Sequence, residues 1–317
     1  MFSVMIVGCG KIAGINKNSH ARAILANKNL NLKVCVDNDK EKADYFSKEF
    51  NCISYTDLQN ALSNEKCNII SICTPDHTHY EITKTVLNSD NKPDLIFLEK
   101  PICHNLNEYY SLLNLSSETK TPIIINHSRR FNSDFINIKN LIHENYFGKL
   151  IRINATYYNG LIHNGTHIID TIIFLLDESI TFKNINNLNF CSYQKDKTFD
   201  INGQSDNTCI PIDIKAIDEN YYQIFEFDFW FSKARLRIEN FGDSFIFERA
   251  TTNYLNERVL MKKKLSLKPK KFSEIEFAYN EINRSLIEKK PEILENFRLQ
   301  NSEFTVKAIF QAMDLLN

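Results

Sequence analysis

A glycine-rich run near the start of the chain, Gly8-Cys9-Gly10-Lys11-Ile12-Ala13, has the spacing Gly-x-Gly-x-x-Ala between an apolar run and a helical stretch. Gly8 permits a tight turn, and Gly10 lets the backbone approach a pyrophosphate. Ala13 is small enough for helix to pack on strand, with the helix N-terminus facing the anion. Gly8, Gly10, Lys11, Ile12 and Ala13 are therefore candidate cofactor contacts. Asp37 closes the next apolar run. An acid there bonds ribose hydroxyls and repels a 2′-phosphate, which favours NAD and leaves NADP open. A glycine-rich turn without a ligand is the competing reading. Two later blocks, Thr74-Pro75-Asp76-His77-Thr78-His79 and Glu99-Lys100-Pro101, also follow apolar runs. The carboxyl ends of strands are where open α/β sheets bind ligands, so Thr74, Pro75, His79, Glu99 and Lys100 join the cofactor candidates. A lysine so placed transfers protons when burial or neighbouring charge lowers its pKa. A surface Glu-Lys pair is the plainer alternative. His163, His167 and Asp170 recur at i, i+4 and i+7 beside the apolar Ile168, Ile169, Ile172, Ile173, Leu175 and Leu176. A polar stripe on such a helix needs partners. A cofactor cleft, a satisfied histidine network, and a metal shared by His163, His167 and Asp170 all supply them.

Regular elements must hold these blocks. Apolar runs at 4–7, 32–36, 68–73, 95–98 and 122–126 read as strands. They alternate with helical stretches from the glycine turn to about 29, and at 40–50, 57–62, 79–87 and 107–115. That alternation means a parallel sheet covered on both faces, a doubly wound Rossmann domain. The pattern then changes to a helix at 135–144, a strand at 150–157 and a helix at 165–176. Period-two strands follow to about 248, the clearest at 222–231 and 234–239 around a Ser232-Lys233 turn. Helices return at 272–288 and 302–316. The expected fold class is α/β: an N-terminal Rossmann domain over 1–122, then an α+β domain over 123–317 with a large, mostly antiparallel open sheet.

The blocks, in this order, resemble the Gfo/Idh/MocA family of nicotinamide-dependent oxidoreductases, whose members act mainly on sugars, cyclitols and nucleotide sugars. The resemblance rests on residues 8–13, 74–79 and 99–101, and on Arg129-Arg130-Phe131 followed by Phe147-Gly148-Lys149. A further segment, His163-Asn164-Gly165-Thr166-His167-Ile168-Ile169-Asp170, is similar to the family's Asp-x-Gly-x-His-x-x-Asp. Together they cover about half the chain. The resemblance implies hydride transfer to or from a CH-OH carbon, with Lys100 and His167 handling the hydroxyl proton. It also implies a homodimer or homotetramer formed through the open sheet. His163 stands where an Asp is usual, so a fixed negative charge is missing and the proton relay or substrate orientation is expected to differ. Arg130, Asn164, Thr166 and Tyr157 are the substrate-side candidates. The alternatives are a glycoside-cleaving relative using bound NAD and a non-catalytic dinucleotide-binding regulator.

Composition narrows the setting. With 38 Lys and Arg against 39 Asp and Glu, the net charge of −1 offers no basic excess for nucleic-acid phosphates. No apolar run approaches the ~20 residues that span a bilayer. The first residues lack the basic flank of a signal peptide, so a cytoplasmic location is expected. None of the eight cysteines forms Cys-x-x-Cys, and Cys35 and Cys73 fall in strands, so reduced thiols are expected. The asparagine-rich composition looks like that of an AT-rich bacterial genome, with surface-polysaccharide sugar synthesis as the expected pathway.

Overall fold

The computed structural model of the chain describes residues 1–191, 196–267 and 271–315. Strands and helices alternate at first: β1 (Phe2–Val7), α1 (His20–Ala26), β2 (Leu30–Val36), α2 (Lys40–Phe50), β3 (Ile53–Tyr55) and α3 (Leu58–Asn64). The series continues through β4 (Ile69–Ile72), α4 (His79–Leu87), β5 (Leu95–Leu98), α5 (Leu106–Thr119) and β6 (Ile123–Ile125). Every residue of β4, β5 and β6 is buried, as in a sheet covered on both faces. The pairings are parallel, in the order β3-β2-β1-β4-β5-β6. Winding therefore reverses between β1 and β4, and the loops after them flank the crevice that binds ligands in such sheets.

Side-chain caps set the helix starts. The Asp39 carboxylate accepts from the amides of Glu41 and Lys42, and Asp57 accepts from Asn60. A departure from the expected helices in the first unit follows the glycine turn. Residues Lys11–Ile15 form a single π turn closed by the Asn16 amide on the Lys11 carbonyl, and Ser19 is extended before α1 begins at His20. The amides behind Gly10 thus belong to a short turn, not to the long helix expected.

The later elements are α6 (Ser133–His143), β7 (Leu150–Tyr158), α7 (Thr166–Leu176), β8 (Ile180–Cys191), β9 (Lys197–Ser205) and β10 (Pro211–Ile217). After these come β11 (Glu226–Phe231), β12 (Ala234–Glu239), β13 (Ser244–Thr252), β14 (Arg258–Lys263), α8 (Glu274–Glu288) and α9 (Glu303–Asp314). The eight strands order as β14-β13-β12-β11-β7-β10-β9-β8, antiparallel except for β7 with β10. Inward residues such as Ile153, Phe227, Phe229 and Leu236 form one core with α6, α7 and α9. On β11 the expected strand was longer at its start. Asp218 instead accepts from the Asn220 amide in a turn, which leaves Tyr221 and Tyr222 exposed.

The chain divides into two units, Met1–Asn132 with Lys271–Glu303, and Ser133–Lys270 with Phe304–Asn317. The boundary expected at 122 is corrected on two counts. β6 pairs with β5 and so extends the first sheet. Residues 271–303 also return to the first unit, because α8 is amphipathic and buries Ile275, Ala278, Tyr279 and Ile282 in its core. Phe297 stacks on Phe131 with ring centroids 4.1 Å apart. No helix among the described residues is long and apolar enough to cross a membrane.

Candidate cofactor and catalytic residues

In the first unit, the glycine loop and the loop after β4 meet at the point of reversed winding. Gly8 has φ +92°, and a Cβ there would lie 2.8 Å from the backbone of Cys73 and Thr74. Only glycine permits that approach. Gly10 differs, since a Cβ added there meets nothing within 4 Å. The open space over its backbone fits the pyrophosphate of a dinucleotide. Lys11 is exposed, Ile12 half-buried and Ala13 buried, where its methyl packs in the core. Asp37 stands at the carboxyl end of β2 and accepts from the Cys9 amide at 2.8 Å and the Asp39 amide at 2.9 Å. It therefore shapes the glycine loop directly. Each carboxylate oxygen keeps a second lone pair for a ribose hydroxyl.

The loops after β4 and β5 are tied together by a buried histidine. His79 Nδ1 lies 2.6 Å from the Pro101 carbonyl and Nε2 lies 2.9 Å from the Thr74 carbonyl. Burial draws its pKa down, against the pull of those two carbonyls toward the charged form. His79 thus clamps Thr74-Pro75 to Lys100-Pro101. Thr74 is half-buried and receives the Thr78 hydroxyl at 2.7 Å, while Pro75 is exposed.

Glu99 likewise has internal partners. It is 8% exposed, and its Oε1 receives the Asn126 amide at 2.6 Å and faces His20 Nε2 at 2.8 Å. His20 Nδ1 lies 2.8 Å from the Tyr279 hydroxyl, which lies 2.6 Å from Ser71 Oγ. Burial disfavours the Glu99 charge, yet His20, Asn126 and the Lys100 charge together hold its pKa below the ordinary 4.5. Sequence reasoning missed His20 and Tyr279. The only signal was a tyrosine within the apolar stripe of α8. Lys100 itself is half-buried at the end of β5.

In the second unit, His163 lies in a one-turn π-helix, Gly160–Gly165, and α7 starts at Thr166. The expected continuous helical stripe is therefore broken between the two histidines. His163, Asn164 and His167 are all half-buried, and His167 contacts the Phe225 ring edge to face at 6.3 Å. The His163 amide donates to Asp196 at 2.7 Å, a carboxylate that the sequence did not single out. Asp170 is buried and accepts from Thr305 at 2.8 Å, so it braces α9. Among the described residues, no group of three or more His, Cys, Asp or Glu is placed to hold a metal.

Three of the substrate-side candidates, Tyr157, Thr166 and Arg130, are buried. The Tyr157 hydroxyl donates to the Phe199 carbonyl at 2.9 Å and accepts from its amide at 3.0 Å, and burial pushes its pKa up. Thr166 is buried and donates to the Ile162 carbonyl at 2.6 Å. Arg130 is buried in the first unit and donates to the carbonyls of Asn296 and Asn301, holding the returning segment. The hydroxyls of Tyr157 and Thr166 are engaged by backbone. Asn164 alone of the four keeps partial exposure. The cysteines with described side chains are free thiols.

A 3-2-1-4-5-6 parallel sheet with a glycine loop, an acid after β2 and open space over Gly10 defines the first unit as a dinucleotide-binding domain. Residues 2–127 match the Gfo/Idh/MocA family model, described as oxidoreductase family, NAD-binding Rossmann fold. Among curated relatives, inositol 2-dehydrogenase of Rhizobium meliloti is 24% identical over 152 residues, covering 48% of this chain and 43% of that protein. The chain's matches thus span less than half the length of its curated relatives. Two solved structures share the whole fold. UDP-N-acetylglucosamine 3-dehydrogenase from Acidithiobacillus ferrooxidans superimposes with a TM-score of 0.76 at 13% identity, over 98% of this chain and 96% of that one. A super-repressor mutant of Gal80p from Saccharomyces cerevisiae does so at 0.79 and 16%, over 99% and 95%.

Proposed function

We propose that the protein is a cytoplasmic NAD(H)-dependent dehydrogenase or reductase acting on a hydroxyl or keto carbon of a sugar or nucleotide sugar. The observation that carries this reading is the union of two loops at one crevice edge. The Gly8–Gly10 loop leaves room for a pyrophosphate, and His79 ties the neighbouring Thr74 loop to the strand end that bears Lys100. Asp37 supports NAD, because its charge repels a 2′-phosphate. The names of the inositol and UDP-N-acetylglucosamine dehydrogenases support a polyhydroxylated substrate.

A bound nicotinamide supplies hydride exchange with the carbinol or keto carbon. As a hydroxyl becomes a carbonyl its proton must leave, and a neutral His167 imidazole accepts it while the Lys100 ammonium stabilises the developing alkoxide. In the reverse direction the same groups act as acids. Asn164 offers a neutral donor and acceptor to a sugar hydroxyl. His163 adds a second imidazole, and Asp196 at its amide supplies a carboxylate to the same turn. The outer face of the eight-stranded sheet, where Ile151 and Trp230 are exposed, is the surface for a homodimer or homotetramer.

The test is a panel of sugars and nucleotide sugars followed by NADH absorbance, with wild type and Lys100→Ala. Turnover by wild type alone supports the reading. If both proteins bind NAD and neither changes its redox state with any substrate, the chain is a dinucleotide-binding regulator instead.

A further inference from the structure

The first unit buries a chain of polar side chains that the proposed reaction does not use: Ser71, Tyr279, His20, Glu99 and Asn126. They come from β4, α8, α1, the end of β5 and the end of β6, so the fold gathers them from across 208 residues of separation in one link alone. His20 is fully buried, with both ring nitrogens engaged. The order of donors is constrained at one end. A carboxylate accepts only, so His20 Nε2 and Asn126 Nδ2 both donate to Glu99 Oε1. Asn126 is thereby fixed in orientation, and its buried Oδ1 has no hydrogen-bond partner among the described residues. A buried unmet acceptor is destabilising. The Asn126 amide therefore serves Glu99 at the expense of its own oxygen.

We propose that Glu99 is a positioning residue for Lys100, a buried carboxylate clamped by His20 and Asn126 and steadied through Tyr279, which keeps the adjacent lysine a cation at a fixed place. Glu99 continues the β5 ladder through its amide on the Ile72 carbonyl, 3.1 Å away, so the backbone just before Lys100 is held. The charged or titratable groups around Glu99 are His20 of α1, Tyr279 of α8, Cys73 after β4 and His79 of α4, with Asp76 acting on His79. Of these, burial pushes the Cys73 thiol and Tyr279 phenol up, so both stay neutral. Glu99 is then the carboxylate of this group on which the Lys100 charge acts.

The inference rests on the reading of Lys100 as a proton-handling group, but its test reads Lys100 without turnover. The full-length protein, free of ligand, is treated with acetic anhydride at pH 8, and acetylation of Lys100 is timed by peptide mass spectrometry. Glu99→Gln keeps the shape and removes the charge. Lowering the lysine pKa by about one unit should raise the Lys100 acetylation rate about tenfold, with other lysines unchanged. Glu99→Asp, which restores the charge, should return the rate toward wild type. Tyr279→Phe frees His20 from one side and should raise the rate about two- to threefold. Equal rates in wild type and Glu99→Gln overturn the inference. Should that variant not fold, equal rates in wild type and Tyr279→Phe do the same. A substrate panel without turnover would overturn the enzyme reading and leave this comparison intact.

Discussion

The strand end that carries Lys100 and the turn that carries His163 and His167 are held in opposite ways. Lys100 follows a strand whose ladder fixes its backbone, and its neighbour Glu99 is bonded to side chains 79 and 27 residues away. The histidine turn is held by near neighbours: Thr166 on the Ile162 carbonyl and Thr171 on the His167 carbonyl, both at i+4. Its longer-range ties include Asp196 on the His163 amide and Thr198 on the Gly160 amide, 33 and 38 residues away. A group fixed by a sheet and a buried network is preorganised with little freedom to lose. A group on a short π turn depends on local capping, so changes near it should be better tolerated.

The largest expected effect tests that contrast. Lys100→Ala should lower kcat about 10²–10⁴-fold, the range for loss of a general acid or base, with NAD affinity within about twofold of wild type. His167→Ala should fall in the same range, while His163→Ala should cost only about tenfold, since its ring lies off the helix that presents His167. Steady-state kinetics with calorimetric NAD titration measures both. A His163 variant as inactive as Lys100→Ala would show that the turn is as tightly organised as the strand end.

Two glycines separate binding from folding within the first unit. Gly10 has φ −82° and open space around a would-be Cβ, so Gly10→Ala should fold normally and weaken NAD binding about 10–100-fold by filling the cradle. Gly8→Ala forces a Cβ onto the Cys73 and Thr74 backbone at φ +92° and should lose stability as well as binding. Thermal melts beside NAD titrations decide it. Full NAD affinity in Gly10→Ala would remove the pyrophosphate from this loop.

The buried network also gives the first unit a pH signature. Glu99 has a pKa held below its ordinary 4.5. Its stabilising contribution is therefore fully present above that value and is lost as pH falls through the lower folded value. Melting temperatures measured from pH 7 down to about pH 3 should fall less steeply for Glu99→Gln than for wild type, because the variant has no carboxylate to protonate. Parallel slopes would mean that Glu99 carries no such linkage.

Legibility followed the same division. The parallel sheet, the glycine loop and the acid after β2 were readable because each is a local pattern with one geometric solution. β12 and the turn before it were readable for the same reason, as strict alternation at Ala234, Leu236 and Ile238 faces one core. The return of α8 to the first unit was not. Its amphipathic stripe says that a face is buried, but not against which sheet. Side-chain direction was the other blind spot. Spacing put Asp170 and Thr166 beside His167, yet Asp170 turns to Thr305 and Thr166 to its own preceding turn. His20 and Asp196 carry no motif at all, since their partners are defined only once distant segments have met.

The smallest effect concerns Tyr157, where the two regions can be told apart by what a single hydroxyl does. If it bound substrate, its removal would raise KM and leave stability alone. The structure instead encloses it, with the hydroxyl bridging both the amide and the carbonyl of Phe199. Tyr157→Phe preserves the ring that packs beside Leu161 and α7 in the core, and deletes only the bridge. Both backbone groups of Phe199 then lose a buried partner, which should cost about 1–3 kcal/mol in chemical denaturation. KM and kcat should stay within about twofold of wild type, because a hydroxyl spent on backbone has no lone pair directed at a ligand. A raised KM with unchanged stability would return Tyr157 to the substrate side, and would mean that β9 parts from β7's tyrosine when substrate binds.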